Sequence, residues 1–266
     1  LVVAIVLAQQ WHVSRNVRTL KLLAVNPGAA TERYFKIGPY TSSPEDQARF
    51  GRSDGVHHKV AKWIAQSARS TLYLTGDSGA GKSSLLTAYV LPQLRSQGWK
   101  VIEARAWQDP FAQIQRSLGR PPTTSEASGA EEQTRQLLEA ARGRSRKMLL
   151  ILDQFEEFLI LGEEARVKQF ARFIFDLGAT PINGVAILLA LLSDYHAMLD
   201  EPGFPALRQG ENWLQVGRFT LAAATSFMKK SGLDLTPEAL DQVVTSAALM
   251  DDSPGIVRPI TLNVVG

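Results

Sequence analysis

Cysteine is absent from the 266 residues, so disulfide staples and thiolate metal sites are excluded and a reducing compartment is compatible. Histidine is scarce. There are four, and the adjacent pair His57 and His58 has no second acidic or histidine cluster at ligand spacing, which argues against zinc. Neither sign of charge dominates: 29 Lys and Arg against 26 Asp and Glu leave a formal net charge of +3. That bias is too weak to point to nucleic acid. No apolar run approaches the roughly 20 residues that span a bilayer. The opening LVVAIVLA is apolar for eight residues and is followed by Trp11 and the basic residues Arg15, Arg18 and Lys21. Two readings stay open for it: the last turns of a spanning helix with an interfacial Trp and a cytoplasmic basic cluster, or a short buried helix or strand.

What is present has a clear rhythm. Residues 1 to about 24 read as a helix that stops before Asn26-Pro27-Gly28, and residues 1–33 form a separate lead-in unit, juxtamembrane in the first of those readings. Val56, Val60, Trp63, Ile64 and Ala68 share one helical face. Five β-type runs follow: Thr71–Thr75, Lys100–Arg105, Lys147–Asp153, the run GVAILLALLS, and NWLQVG. Helical segments separate them, including one long helix expected over Glu156–Leu177 and a helix after the glycine loop that Pro92 is expected to kink. Strands alternating with helices, two of them apolar throughout, predict an α/β fold with a five-stranded parallel sheet flanked by helices. Arg120–Glu132 is the one low-complexity stretch and reads as a solvated loop. After Arg218 the strand signal ends. Three helical pieces, one with Thr236 as N-cap and Pro237 at its first position, predict a small helical subdomain over 218–266 beside a core over 34–217.

The chemistry lies in Gly76-Asp77-Ser78-Gly79-Ala80-Gly81-Lys82-Ser83, which satisfies G-x-x-x-x-G-K-[ST] at every required position, after a strand and before an apolar helix. Glycines let successive N–H groups converge on phosphate oxygens, and the helix start adds partial positive charge. Lys82 is placed to reach the β and γ phosphates, Ser83 to ligate Mg²⁺, and Ser84 to lie near the α phosphate. A phosphate loop needs a carboxylate for the magnesium shell at the end of a neighbouring buried strand. Asp153 ends the run LLILD and meets that need. Glu156 and Glu157 follow, either of them able to face a water attacking the γ phosphate. Capping of the next helix is a role equally open to one of the pair.

These residues resemble the STAND-type P-loop NTPases, signal-transducing relatives of the AAA+ ATPases, and in particular their bacterial branch found beside effector or repeat domains. PYTSSPEDQARFGR, GDSGAGKSSLL with VLPQLRSQGW, LLILDQFEEF and GIVRPITLNVVG carry the likeness, which covers about Tyr34 to Gly266. The resemblance implies an ATPase core with a helical lid, adenine held near Phe50, Gly51, Arg52, Arg258 and Pro259, and a nucleotide state that controls assembly. It further implies self-association, effector or sensor domains in the same polypeptide beyond both ends, and a cytoplasmic location, anchored to the inner membrane if the first segment ends a spanning helix. Nucleic acid is not expected as a partner. Two positions depart from the pattern. Leu192 stands where an arginine usually ends the strand before a small residue and Asp, so either hydrolysis is slow or sensing falls to Arg258 or a neighbouring subunit. Asp54 stands near a usual glutamate. The competing functions are a nucleic-acid-associated ATPase, with Arg142, Arg144, Arg146 and Lys147 as a phosphate contact, and a small-molecule phosphotransferase.

Overall fold

The computed structural model describes residues 39–106, 109–120, 129–143, 147–230, 235–251 and 255–265. The expected helix over residues 1 to about 24, and with it the membrane question, lies outside them, as do most of the low-complexity stretch and Arg144 and Arg146. No described helix is long and apolar enough to cross a membrane.

Five strands form one parallel sheet in the order β2-β3-β4-β1-β5: β1 (Thr71–Gly76), β2 (Lys100–Arg105), β3 (Met148–Asp153), β4 (Val185–Leu192) and β5 (Trp213–Val216). The sheet is covered on both faces, and the period of two along each central strand divides its side chains between two cores. Tyr73, Leu150, Leu152, Ile187 and Leu189 point to one side, and Leu72, Leu74, Leu149, Ile151 and Leu188 to the other. Strand order places β1, which feeds the glycine loop, one strand away from β3, which carries Asp153. Both loops therefore open at the carboxyl edge of the sheet, on either side of β4.

The first core is held by interlocked phenylalanines. Phe155 and Phe158 of helix α7 (Phe155–Leu161) pack on Phe170 of α8 (Glu164–Ala179), with ring centroids 5.9 and 5.7 Å apart. Two helices stand where one was expected over Glu156–Leu177. Gly162 leaves the helical region between them, and the Phe158 ring and carbonyl crowd it so closely that only a residue without Cβ fits.

On the opposite face lie α1 (Pro44–Arg49), α2 (Val56–Gln66) and a composite helix: α3 (Lys82–Leu85), a π-helical turn (Leu86–Val90) and α4 (Leu91–Ser96). Proline lacks an N–H and its ring crowds the preceding turn. At Pro92 the wider π turn, closed by Leu91 N–H to Leu86 O, precedes the ring. On the sheet's first face, α5 (Pro110–Ser117) and α6 (Ala130–Arg142) connect β2 to β3, so the tail of the expected low-complexity loop is already helical from Ala130. Lys147, the one described residue of the basic run outside α6, donates to the Ala65 carbonyl at 3.0 Å and lies over the Trp99 ring.

Beyond β5 a third apolar cluster, Phe219, Ala224, Phe227, Val243, Val257 and Leu262, holds α9 (Leu221–Lys230), α10 (Pro237–Met250) and α11 (Pro259–Val265) together. The expectation of helices alone is corrected here. Phe219–Thr220 (β6) and Ile256–Val257 (β7) pair as an antiparallel ribbon that closes the ends of this unit on each other. Two-residue strands carry no readable alternation, which is why the pattern of residues missed them.

Candidate functional site

The glycine loop turns between β1 and α3 with Gly79 and Gly81 at φ of 75° and 86°, values that L side chains rarely adopt. Gly76 is required for another reason. A Cβ there would lie 2.5 Å from the Val216 carbonyl of neighbouring β5. Lys82 folds its amine onto the loop, donating to the Gly76 carbonyl at 2.6 Å and the Asp77 carbonyl at 3.2 Å. Burial lowers its pKa, with Glu156, Asp153, Asp77 and Asp194 opposing the shift.

Ser83 Oγ donates to Asp153 Oδ2 at 2.8 Å, joining the start of α3 to the end of β3. The other oxygen, Asp153 Oδ1, accepts the Gln154 amide at 2.9 Å, and Gln154 holds the chain's one described non-glycine positive φ, 56°. A left-handed residue of this kind costs roughly 1–2 kcal/mol. It turns the backbone so sharply that α7 starts two residues beyond Asp153, with Phe155 inward and Glu156 beneath the cavity.

The two glutamates separate here. Glu156 is buried, lines the cavity, and accepts the Leu192 amide at 3.2 Å. Burial raises its pKa above the ordinary carboxylate range, against the pull of its own amide, the Leu192 amide and Lys82. Glu157 lies outside the cavity lining and grips Arg105 of β2 with both oxygens, one of them 3.0 Å from Nε.

The cavity between these parts holds about 290 Å³, near the lower end of the roughly 300–1,000 Å³ usual for ligand pockets. Ser78, Gly79, Gly81, Lys82, Ser83, Ser84, Asp153 and Glu156 form its polar floor. Its apolar wall is drawn from both ends of the chain: Tyr40 and Phe50 on one side, Phe219, Phe227, Pro259 and Ile260 on the other. The Phe50 ring is fixed edge-on by Tyr40 and by His57, at 5.5 and 5.9 Å. Burial, helped by neighbouring His58, lowers the His57 pKa to about 4, so the His57 ring behind Phe50 is neutral at physiological pH.

Not every expected residue faces this space. Asp77 turns to Arg218, whose Nε lies 2.6 Å from Asp77 Oδ2. Ala80 is buried and offers its carbonyl to Arg52. Arg52 itself lines the cavity, yet its guanidinium is spent on protein partners: both oxygens of Asp54, the Ala80 carbonyl, and the Gly217 carbonyl at 3.0 Å. Ser84 accepts the Tyr40 amide at 3.1 Å. Arg258 turns its guanidinium to Asp251 rather than to the cavity, while Pro259 beside it does line the wall. Burial alone would raise the Asp251 pKa; the Arg258 amide, Thr261 hydroxyl and Arg258 guanidinium outweigh it and hold the carboxyl low. Tyr40, Phe219, Phe227, Ile260 and Arg218 were absent from the residues singled out in the sequence. Isolated aromatic and apolar residues carry no signal until the fold brings them together.

Residues 39–255 match the family Novel STAND NTPase 1. The chain is a STAND NTPase. Solved structures support the P-loop fold of this STAND NTPase at low identity. A Walker-type ATPase of Pyrococcus abyssi aligns with a TM-score of 0.56 at 14% identity over 86% of this chain and 69% of its own. Cdc6p from Pyrobaculum aerophilum gives 0.52 at 13% over 86% and 62%, and Drosophila ORC bound to DNA gives 0.52 at 14% over 76% and 56%. No curated protein matches the sequence.

Mg²⁺ fits the residues present. Ser83 and Asp153 bring two hard oxygens to one point, and among the described residues no three carboxylates or histidines gather into a dedicated cage. That suits an ion that takes one or two protein oxygens and completes its shell with phosphate and water.

Proposed function

We propose that the protein binds Mg-ATP between the sheet edge and the C-terminal unit, hydrolyses it slowly, and serves as a nucleotide-controlled switch in a longer polypeptide. The observation that carries this reading is the Ser83–Asp153 contact at the floor of a cavity whose wall belongs partly to the C-terminal unit. The amides of Gly79–Ser83 are suited to a polyphosphate, and Lys82 to the β and γ oxygens once it leaves the loop carbonyls. The aromatic and apolar wall, with Pro259, suits adenine. Mg²⁺, held by Ser83 and through water by Asp153, would neutralise phosphate charge.

Glu156 is the stronger candidate for the base. It accepts the proton of the water that attacks the γ phosphate, leaving ADP and inorganic phosphate. Its raised pKa brings it closer to neutrality, where a general base works best. Glu157 is held aside by Arg105. Leu192 brings no positive charge to the γ phosphate, which supports slow turnover and a site that holds more than it converts. A ligand seated between two units favours whichever mutual orientation it contacts better, so ATP and ADP would select different orientations and different tendencies to self-associate.

Calorimetry with Mg-ATP on the wild type and on Lys82→Ala tests the reading. Binding to the wild type and none to Lys82→Ala is expected. Equal binding by both proteins removes the assignment.

A further inference from the structure

Three residues of the phosphate loop are touched from outside the core sheet, and each contact leads to the C-terminal unit. The Asp77 carboxylate meets Arg218, which stands between the end of β5 and the start of β6. Gly79 lies under Ile260, so closely that a Cβ on residue 79 would come within 2.6 Å of Ile260 Cγ2. The Ala80 carbonyl accepts from Arg52, which also bonds the Gly217 carbonyl and lies 4.8 Å from the centre of the Phe219 ring. A loop whose amides must converge on a phosphate cannot shift while these contacts hold. Nor can residues 217–219 pivot without pulling on the loop.

Of the three, Asp77–Arg218 is the pair built for coupling. Neither side chain lines the cavity. The pair is largely shielded, with side-chain exposures of 33% and 22%. It joins the second residue of the loop to the second residue after the core sheet.

We propose that Arg218 is a positioning residue which, through Asp77, couples the conformation of the phosphate loop to the orientation of the C-terminal unit. This rests on the nucleotide-switch reading above and adds to it the place where the two halves exchange force. Coupling of this kind is reciprocal: whatever the nucleotide does to the orientation, the orientation does to nucleotide affinity.

The test uses a double-mutant cycle in the full chain, with Mg-ADP as the probe. Asp77→Asn and Arg218→Gln are each expected to weaken Mg-ADP binding by about fivefold, the lower end of common coupling factors. The double variant should lose no more than either single one. Arg218→Lys, which keeps the charge, should recover most of the affinity.

Orientation is read separately. Since the sequence has no cysteine, Gln97→Cys and Gln242→Cys, both exposed, accept a single pair of distance labels. Mg-ADP should shift the label distance in the otherwise native protein and fail to shift it in Arg218→Gln at saturating ligand. Additive losses in the cycle, or a ligand-induced shift that survives Arg218→Gln, would overturn the coupling role. Failure of the unsubstituted protein to bind Mg-ADP would instead refute the switch reading beneath it. If Arg218→Gln does not fold, Asp77→Asn with the same labels decides the question, because it removes the same ion pair from the other side.

Discussion

Replacing Arg52 by Met is the sharpest test of how the lead-in segment supports the site. Met keeps most of the apolar stem and deletes the guanidinium. The side chain of Arg52 is 3% exposed and that of its partner Asp54 is 18% exposed. The substitution therefore strands a shielded carboxylate and takes a donor from the Ala80 and Gly217 carbonyls together. Removing one partner of a buried pair costs about 3–5 kcal/mol. Because Asp54 keeps some contact with water, about 3 kcal/mol is the expected loss. For a protein of this size that corresponds to a fall in Tm of about 6–12 °C.

Urea denaturation followed by circular dichroism measures it. Adding Asp54→Asn to Arg52→Met should then restore part of the stability, since the penalty comes chiefly from the charge left behind and not from the lost pair itself. A loss below about 1 kcal/mol for Arg52→Met, or a double variant no better than the single one, would refute the reasoning.

Three further outcomes are expected. Glu156→Gln should retain Mg-ATP and lose hydrolysis by about 10²- to 10⁴-fold, whereas Glu157→Gln should keep most of it; phosphate release measures both, and the reverse ranking would assign the base to Glu157. Hydrolysis by the wild type should fall as pH drops through a value above the ordinary carboxylate range, because burial raises the Glu156 pKa. A group whose folded pKa is raised contributes stability below its unfolded pKa and loses it as pH rises through the folded one. Thermal melts should accordingly show Glu156→Gln more stable than wild type at neutral pH, with the gap closing in acid. Gly76→Ala should cost about 1–3 kcal/mol, since the new methyl meets the Val216 carbonyl at 2.5 Å. Its thermal melt should fall along with nucleotide affinity, and an unchanged melt would show that β5 yields there.

The chemistry-bearing residues were legible one by one because their signals are local. A phosphate loop is a run of consecutive amides, so Gly76–Ser83 declares itself in eight letters. Runs such as LLILD and AILLALL declare strands covered on both faces, since only a strand with no solvent side tolerates them. From those two facts the parallel sheet and the pairing of Ser83 with Asp153 follow. The break at Gly162 and the ribbon of Phe219–Thr220 with Ile256–Val257 did not show. The first depends on where the Phe158 ring packs, and the second on two residues meeting two others more than thirty positions away.

The same distinction runs through the site. Sequence marked the residues suited to a phosphate and a metal, because a run of consecutive amides and an acid ending a buried strand are local signals. Tertiary structure alone separated the two glutamates, since Arg105 reaches Glu157 from another strand and Leu192 offers its amide to Glu156 from a third. It also turned Arg52 to the Ala80 and Gly217 carbonyls and Arg218 to Asp77. A guanidinium is drawn to whichever carboxylates and carbonyls the fold brings within reach, and that choice is made across distances in the chain that no local pattern records.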